Sequence, residues 1–387
     1  MNLLYLHRTQ AQGVEGVHIG EIVKAMRRLG HTVRIVSPVG DRFGDEAAAG
    51  AAKPTGMRKL YGFVTRHLPE VAFELLELAY NLKAVRDIRR HARPDNVDAI
   101  FERYAIFGLA GAYVARRWGK PLYLEINYTS QSALVRRRSR LLQPLARALD
   151  RRLFRQAAGL FAVSSYLKDH LVRDFGVPAD KVQVLPNAAD PDVFDPARIA
   201  AAPADGRLIG FVGGFYPWHG LPLLLEAFTR IAPDFADARL LLIGDGPMRG
   251  EIERRVASSG LRDRVLLPGR MPHAALPAQM ASFHVGVMPD SNDYGSPMKI
   301  FEYMAMGKPV VVPDYGPLRD CVSDGEEGFI FRPGDAADLA RCLARLLDDA
   351  ALYRRMAERA RRRVLERHNW RRNAETILQT MTTRVHA

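Results

Sequence analysis

The stretch MNLLYLHRTQAQGVEGVHIGEIVKAMRRLGHTVRIV (1–36) decides the fold class. Leu3–Leu6 is a short apolar run that reads as a strand, and QGVEG (12–16) after it reads as a glycine-bearing loop. Ile19, Ile22, Val23, Met26 and Leu29 then recur at three- and four-residue steps, which predicts a helix over about 18–29 with one apolar face. Gly30 suits the left-handed position that ends a helix, and Thr32–Val36 reads as a second strand. Strand, helix, strand in this order is a crossover unit, so the two strands lie parallel in one sheet.

The same alternation continues outward. Residues 41–56 are rich in Gly and Ala and read as a loop, and a helical region over 57–92 is broken near Pro69. Strands are expected at 98–101, 121–126, 160–163 and 181–185, with helices near 106–118 and 164–175 and a basic stretch at 134–157. Between 186 and 205 the chain turns rich in Pro, Ala and Asp, which reads as a linker. A second series then starts over, with strands at 208–212, 239–243, 265–267, 284–288, 309–312 and 328–331 and helices at 221–231 and 248–258. The fold class expected is α/β: two Rossmann-like, doubly wound domains facing across a cleft, with ligands at the carboxyl ends of the strands. The boundaries expected are 1–195, 205–368, and a last helix over 369–387 that returns to the first domain.

Composition narrows the function. A chain of 387 residues with 48% hydrophobic and 26% charged residues fits two globular cores. No apolar run reaches the ~18–20 residues of a membrane span. The opening MNLLYLHRTQ reads as a strand and not as a leader, and two cysteines make neither a disulfide framework nor a zinc cluster, which points to the cytoplasm. The formal charge of +13 favours an anionic partner. Nucleic acid is disfavoured, since the basic stretch lacks interleaved aromatics and a recognition motif.

The chemistry concentrates in DSNDYGSPMKIFEYMAMGKPVVV (290–312). Ser296 is expected to cap a helix with Pro297 in its first turn, the helix running over 298–306. The N–H groups around Ser296, Pro297 and Met298 then form the positive end of a dipole, which suits a diphosphate. A lysine in that turn, Lys299, opposes the dipole unless an anion compensates it. Glu302 falls one turn on, where a carboxylate can hold vicinal ribose hydroxyls.

This segment resembles the nucleotide-sugar motif of glycosyltransferase family 4, retaining enzymes of the GT-B fold, in the sub-group with S-P-x-K ahead of the glutamate. Glu302 matches the second of the family's two glutamates, and Tyr294 stands where the first would fall, with Gly295 or Ser296 backbone as its replacement. GFVGGFYPWHGLPLLLEAF (210–228) resembles the strand–loop–helix that neutralises the donor phosphates. Gly213 is retained, and Gly214 and His219 occupy the places of the family's Arg and Lys, with His219 as a phosphate donor and Lys299 supplying the charge. Gly244 and Gly246 in LLLIGDGPMRGEIE (241–254) resemble a tight turn at the donor, and backbone near Arg270 and Met271 would receive the base. In the first half, Gly13 and Gly16 resemble the glycines that approach the donor. His18, Glu102, Arg103 and Tyr128 are expected on the acceptor side, and Asn127 stands where many members carry a histidine.

The resemblance implies transfer of a sugar from a nucleoside-diphosphate sugar, UDP being the commonest, to a hydroxyl of a glycan, glycolipid or small molecule, with retention. It implies no cofactor and no metal, since no Asp-x-Asp ends a strand. An epimerase of the same fold is the alternative, and a non-enzymatic basic binder a more distant one. The leucines and arginines of 134–155 form an amphipathic basic helix that either packs into its domain or lies on an anionic membrane.

Overall fold

The computed structural model describes residues 1–43, 69–132, 139–202 and 206–385. The chain divides into two compact units, Met1–Leu185 with Asn373–Ala387, and Pro186–Arg372.

The first unit is a six-stranded parallel sheet in the order β2-β1-β3-β4-β5-β6. Its strands are β1 Asn2–Leu6, β2 Thr32–Val36, β3 Ala99–Arg103, β4 Leu122–Ile126, β5 Gly159–Ala162 and β6 Val182–Val184. The chain moves one way from β1 to β2 and then crosses to β3 on the other side. Such a reversal opens a crevice at the carboxyl ends of β1 and β3. The first helix spans Gly13–Arg28 and not 18–28, so the glycine-bearing segment expected as loop is its first turn. Gly13 takes φ +56°, which a glycine accommodates at little cost, and Gly16 is buried in the turn after it. The helix expected to break near Pro69 begins there, at Glu70–His91 with Pro69 as its cap residue; residues 57–68 lie outside the described residues. The last helix, Trp370–Val385, lays Ile377, Leu378 and Met381 into this unit, and its Met381 carbonyl accepts from Tyr123 Oη at 3.3 Å.

The second unit carries β7 Arg207–Val212, β8 Ala238–Ile243, β9 Val265–Gly269, β10 Phe283–Val287, β11 Val310–Pro313 and β12 Gly328–Phe331. Their order is β12-β11-β10-β7-β8-β9, all parallel, so the reversal lies between β7 and β10. The helix Leu221–Ile231 buries Leu221, Leu224, Leu225, Ala227, Phe228 and Ile231 on one core face. Residues 186–202 are not a loose linker. Ala189 and Phe194 are buried in the second unit's other core cluster, and Arg361 ties Asp195 at 2.8 Å, so the chain has left the first unit at Leu185. Phe194 is the reason: a large apolar side chain in a polar stretch gains by burial.

Of the basic stretch, 133–138 lie outside the described residues, and Gln143–Gln156 form a helix. Leu153 is buried and Leu142 and Leu149 are half-buried, whereas Leu141 is 79% exposed and Leu145 42%. The helix therefore does both things expected of it in part, packing one edge and presenting the other.

Candidate active site

In the second unit the segments after β7 and β10 meet at the sheet's reversal point. The helix after β10 spans Met298–Ala305. Pro297, not Ser296, is its cap residue, and no side chain caps it. The Ser296 hydroxyl is used elsewhere: it accepts from the Asn187 backbone N–H at 3.0 Å, while the Asn187 amide donates to the Ser296 carbonyl. Asn187 thus pins the approach to the helix. Gly295 is also committed, its N–H donating to Asn292 Oδ1, so this N–H does not replace a lost carboxylate. Met298 is buried, and the first N–H groups of any helix lack intrahelical acceptors.

Lys299 lies buried in this turn, and its Nζ has no hydrogen-bond partner among the described residues. The ammonium sits 4.4 Å from the centre of the Phe211 ring. A Cβ at Gly213 would come within 2.5 Å of it, so glycine there leaves the ammonium uncovered. Burial lowers the Lys299 pKa to about 7, with the Glu302 charge acting the other way. A buried, unpartnered cation at a helix start is unfavourable alone, and an anion removes both penalties.

The loop from Gly213 to Gly220 is held from several sides. Gly213 N–H donates to Ile243 O at 2.9 Å, and Phe215 N–H to Asp245 O at 2.9 Å. Gly244 and Gly246 serve this packing: a Cβ at Gly244 would lie 1.9 Å from the Gly213 carbonyl, and one at Gly246 2.7 Å from that of Phe215. Gly214 leaves room for the Tyr216 ring. His219 Nδ1 bonds the Gly214 carbonyl, which can only accept, so the proton is on Nδ1 and Nε2 is an acceptor. Burial and the Lys299 charge lower its pKa to about 4 against that bond. The expected role of His219 as a phosphate donor is therefore corrected: at neutral pH its outer nitrogen accepts.

Glu302 is buried, and His273 Nε2 meets its Oε1 at 3.1 Å. The Phe194 ring packs edge-on against His273 at 5.8 Å. Neither lysine, 299 or 308, is hydrogen-bonded to Glu302; Lys308 donates to the Ala281 carbonyl at 2.7 Å. Past β9, Arg270 is exposed and Met271 half-buried against the core. His273 was missed in the sequence, where P-H-A-A marks only a turn.

In the first unit the centre is Glu125, at the end of β4. Arg103, its register partner on β3, donates to its Oε1. His18 Nε2 reaches the same oxygen at 3.0 Å, and Asn127 Nδ2 donates to it at 2.5 Å. Burial pushes the Glu125 pKa up, but the His18 and Arg103 charges and the donated hydrogen bonds outweigh it and hold the carboxylate ionised. Gly13 and Gly16 stand in the first turn of the helix that carries His18. Tyr128 is half-buried, edge-on to Tyr104 at 5.5 Å. Glu102 does not join the group. Its register partner is Leu124, and its carboxyl lies against Gly111 on the other face of the sheet. There burial raises its pKa to about 8, which Arg8 only partly opposes. Glu125 itself was legible as the one charge in the apolar strand LYLEI.

Among the described residues no group of three His, Cys, Asp or Glu is arranged to hold a metal ion, and no helix is long and apolar enough to cross a membrane.

Two parallel six-stranded Rossmann-like sheets with ligand-type groups at their strand ends define the GT-B fold class. Residues 13–193 match Glycosyltransferase Family 4 and residues 206–349 match Glycosyl transferases group 1. The chain belongs to this glycosyltransferase family. It is 32% identical over 260 residues to a 2-deoxystreptamine glucosyltransferase of Streptomyces kanamyceticus, covering 63% of this chain and 65% of that protein. It is 29% identical over 259 residues to an alpha-D-kanosaminyltransferase of the same organism, covering 64% and 66%. The matches thus span just under two thirds of these relatives. In fold it is similar to Anabaena Alr3699/HepE in complex with UDP, with a TM-score of 0.73, 18% identity and 99% and 100% coverage.

Proposed function

We propose that the protein transfers a sugar from a nucleoside-diphosphate sugar to an acceptor hydroxyl with retention at the anomeric carbon. The observation that carries this is the buried, unpartnered Lys299 ammonium over Gly213 at the start of the helix Met298–Ala305. The diphosphate sits there, and the Glu302–His273 pair takes the ribose, with the base toward Arg270 and Met271. As the bond from the anomeric carbon to the phosphate oxygen breaks, the growing negative charge meets Lys299 and the helix N–H groups, which stabilise it without reorganisation. The acceptor oxygen bonds the anomeric carbon on the same face, and its proton passes to the departing phosphate oxygen. The Glu125, His18, Arg103 and Asn127 group is proposed to orient the acceptor.

The relatives' names and the UDP-bound neighbour supply first substrates: UDP-glucose as donor and 2-deoxystreptamine as acceptor. A polysaccharide or lipid-linked acceptor is the other class, and with it a cytoplasmic location at the inner membrane face. Transfer is proposed to need no metal. The test is incubation with UDP-glucose and 2-deoxystreptamine, with and without EDTA, followed by proton NMR of the product. An α-linked glucoside formed equally with EDTA supports the reading. A β-linkage would overturn retention, and loss of turnover with EDTA would overturn metal independence.

A further inference from the structure

We propose that Tyr216 and Trp218 form a stacking platform for the carbon–hydrogen face of the acceptor's carbohydrate or cyclitol ring; this rests on the donor-site reading above. The two rings are parallel, with centroids 4.6 Å apart and planes 5° from each other. Each residue remains 40% exposed. An exposed aromatic pair adds little to folding, yet this one is held in place. The edge of the Tyr216 ring lies where a side chain at Gly214 would be, and His219 N–H donates to the Tyr216 carbonyl at 3.0 Å. The His219 ring meets both aromatics edge-on at 6.2 Å. Its own charge state feels Lys299, so the pair stands one residue out from the diphosphate site.

The sheet order tells which end of the donor the pair serves. Glu302 and His273 mark the nucleoside end, and His273 follows β9, two strands from β7 on one side. Gly220, which closes the aromatic loop, abuts Asp290 beyond β10, the neighbour of β7 on the opposite side. The platform therefore lies away from the base. Its exposure places it beyond the buried site of the leaving group, where the acceptor arrives. A six-membered polyol ring has hydroxyls on its rim and apolar C–H faces, and it gains dispersion contact on a flat aromatic surface. A pre-stacked pair loses little side-chain freedom when the ring lands.

The experiment is saturation-transfer NMR of methyl α-D-glucopyranoside, myo-inositol and 2-deoxystreptamine on the UDP-saturated protein, with wild type, Tyr216→Ala, Trp218→Ala and Trp218→Phe. The expected result is saturation of ring C–H protons of at least one probe. Its dissociation constant should rise about tenfold in Trp218→Ala, in line with aromatic stacking, and return toward wild type in Trp218→Phe. UDP affinity and melting temperature should stay unchanged in all variants. Saturation for none of the probes, or equal saturation in Trp218→Ala, would overturn the platform. Failure of wild type to bind UDP would instead overturn the donor site.

Discussion

In the free protein the Lys299 ammonium has burial against it and no hydrogen-bonding partner among the described residues, and its pKa is lowered to about 7. A bound diphosphate requires the charged form and raises that pKa. Below pH 7 the lysine is already protonated and UDP binding is flat. Above pH 7 binding must recruit a proton, so the dissociation constant rises, approaching about tenfold per pH unit. Titrations from pH 6 to 9 check this, with Lys299→Met as the variant in which the slope disappears; a slope kept by Lys299→Met would assign it to another group. Glu302 gives a second prediction. Glu302→Gln should weaken UDP binding about ten- to thirtyfold, the scale of one charge-assisted hydrogen bond of ~1.5–2 kcal/mol, and leave pyrophosphate inhibition unchanged. His273→Ala should reproduce the split in milder form, since His273 acts through Glu302. Equal losses for both ligands would make the pair structural.

At the scale of elements, the site depends on loops packed backbone to backbone. Gly244→Ala drives a Cβ to within 1.9 Å of the Gly213 carbonyl at φ +147°, so the two strand-end loops must part. Destabilisation of about 1–3 kcal/mol is expected, with UDP binding lost in proportion because Gly213 moves from Lys299. Gly260→Ala, at φ +71° in open space, carries only the backbone strain of about 1–2 kcal/mol. Denaturant melts of both variants beside UDP titrations check this; undisturbed UDP binding in Gly244→Ala would contradict it. The same contacts explain what was legible in the sequence. The helix Leu221–Ile231 and the strand Gly328–Phe331 fall where their apolar periodicity puts them. Lys299 and Glu302 stand out because they interrupt an apolar helix. Glu102 and Arg103 were grouped together, although consecutive strand residues point to opposite faces, and only Arg103 reaches Glu125. Ser296 carries a capping residue's chemistry, but the partner that claims its hydroxyl, Asn187, is 109 residues away. His273 pairs with Glu302 over 29 residues, which no local pattern encodes.

For the whole molecule, the +13 charge and the exposed Leu141 and Leu145 beside Arg140, Arg147 and Arg151 give the first unit a basic, partly apolar face. Co-flotation with liposomes containing anionic lipid is expected at low salt and should weaken at physiological salt. No flotation at either salt would favour a small-molecule acceptor over a lipid-linked one. Both acceptor classes rest on one donor site, so the most direct test is calorimetric titration with UDP, GDP, ADP and dTDP at pH 7, in wild type and Lys299→Ala. At least one nucleoside diphosphate should bind, and Lys299→Ala should weaken it roughly 30- to 1000-fold, the scale of a lost charge-assisted contact of about 2–4 kcal/mol, with melting temperature unchanged or raised. Binding of none, or equal affinity in a folded Lys299→Ala, would contradict the account.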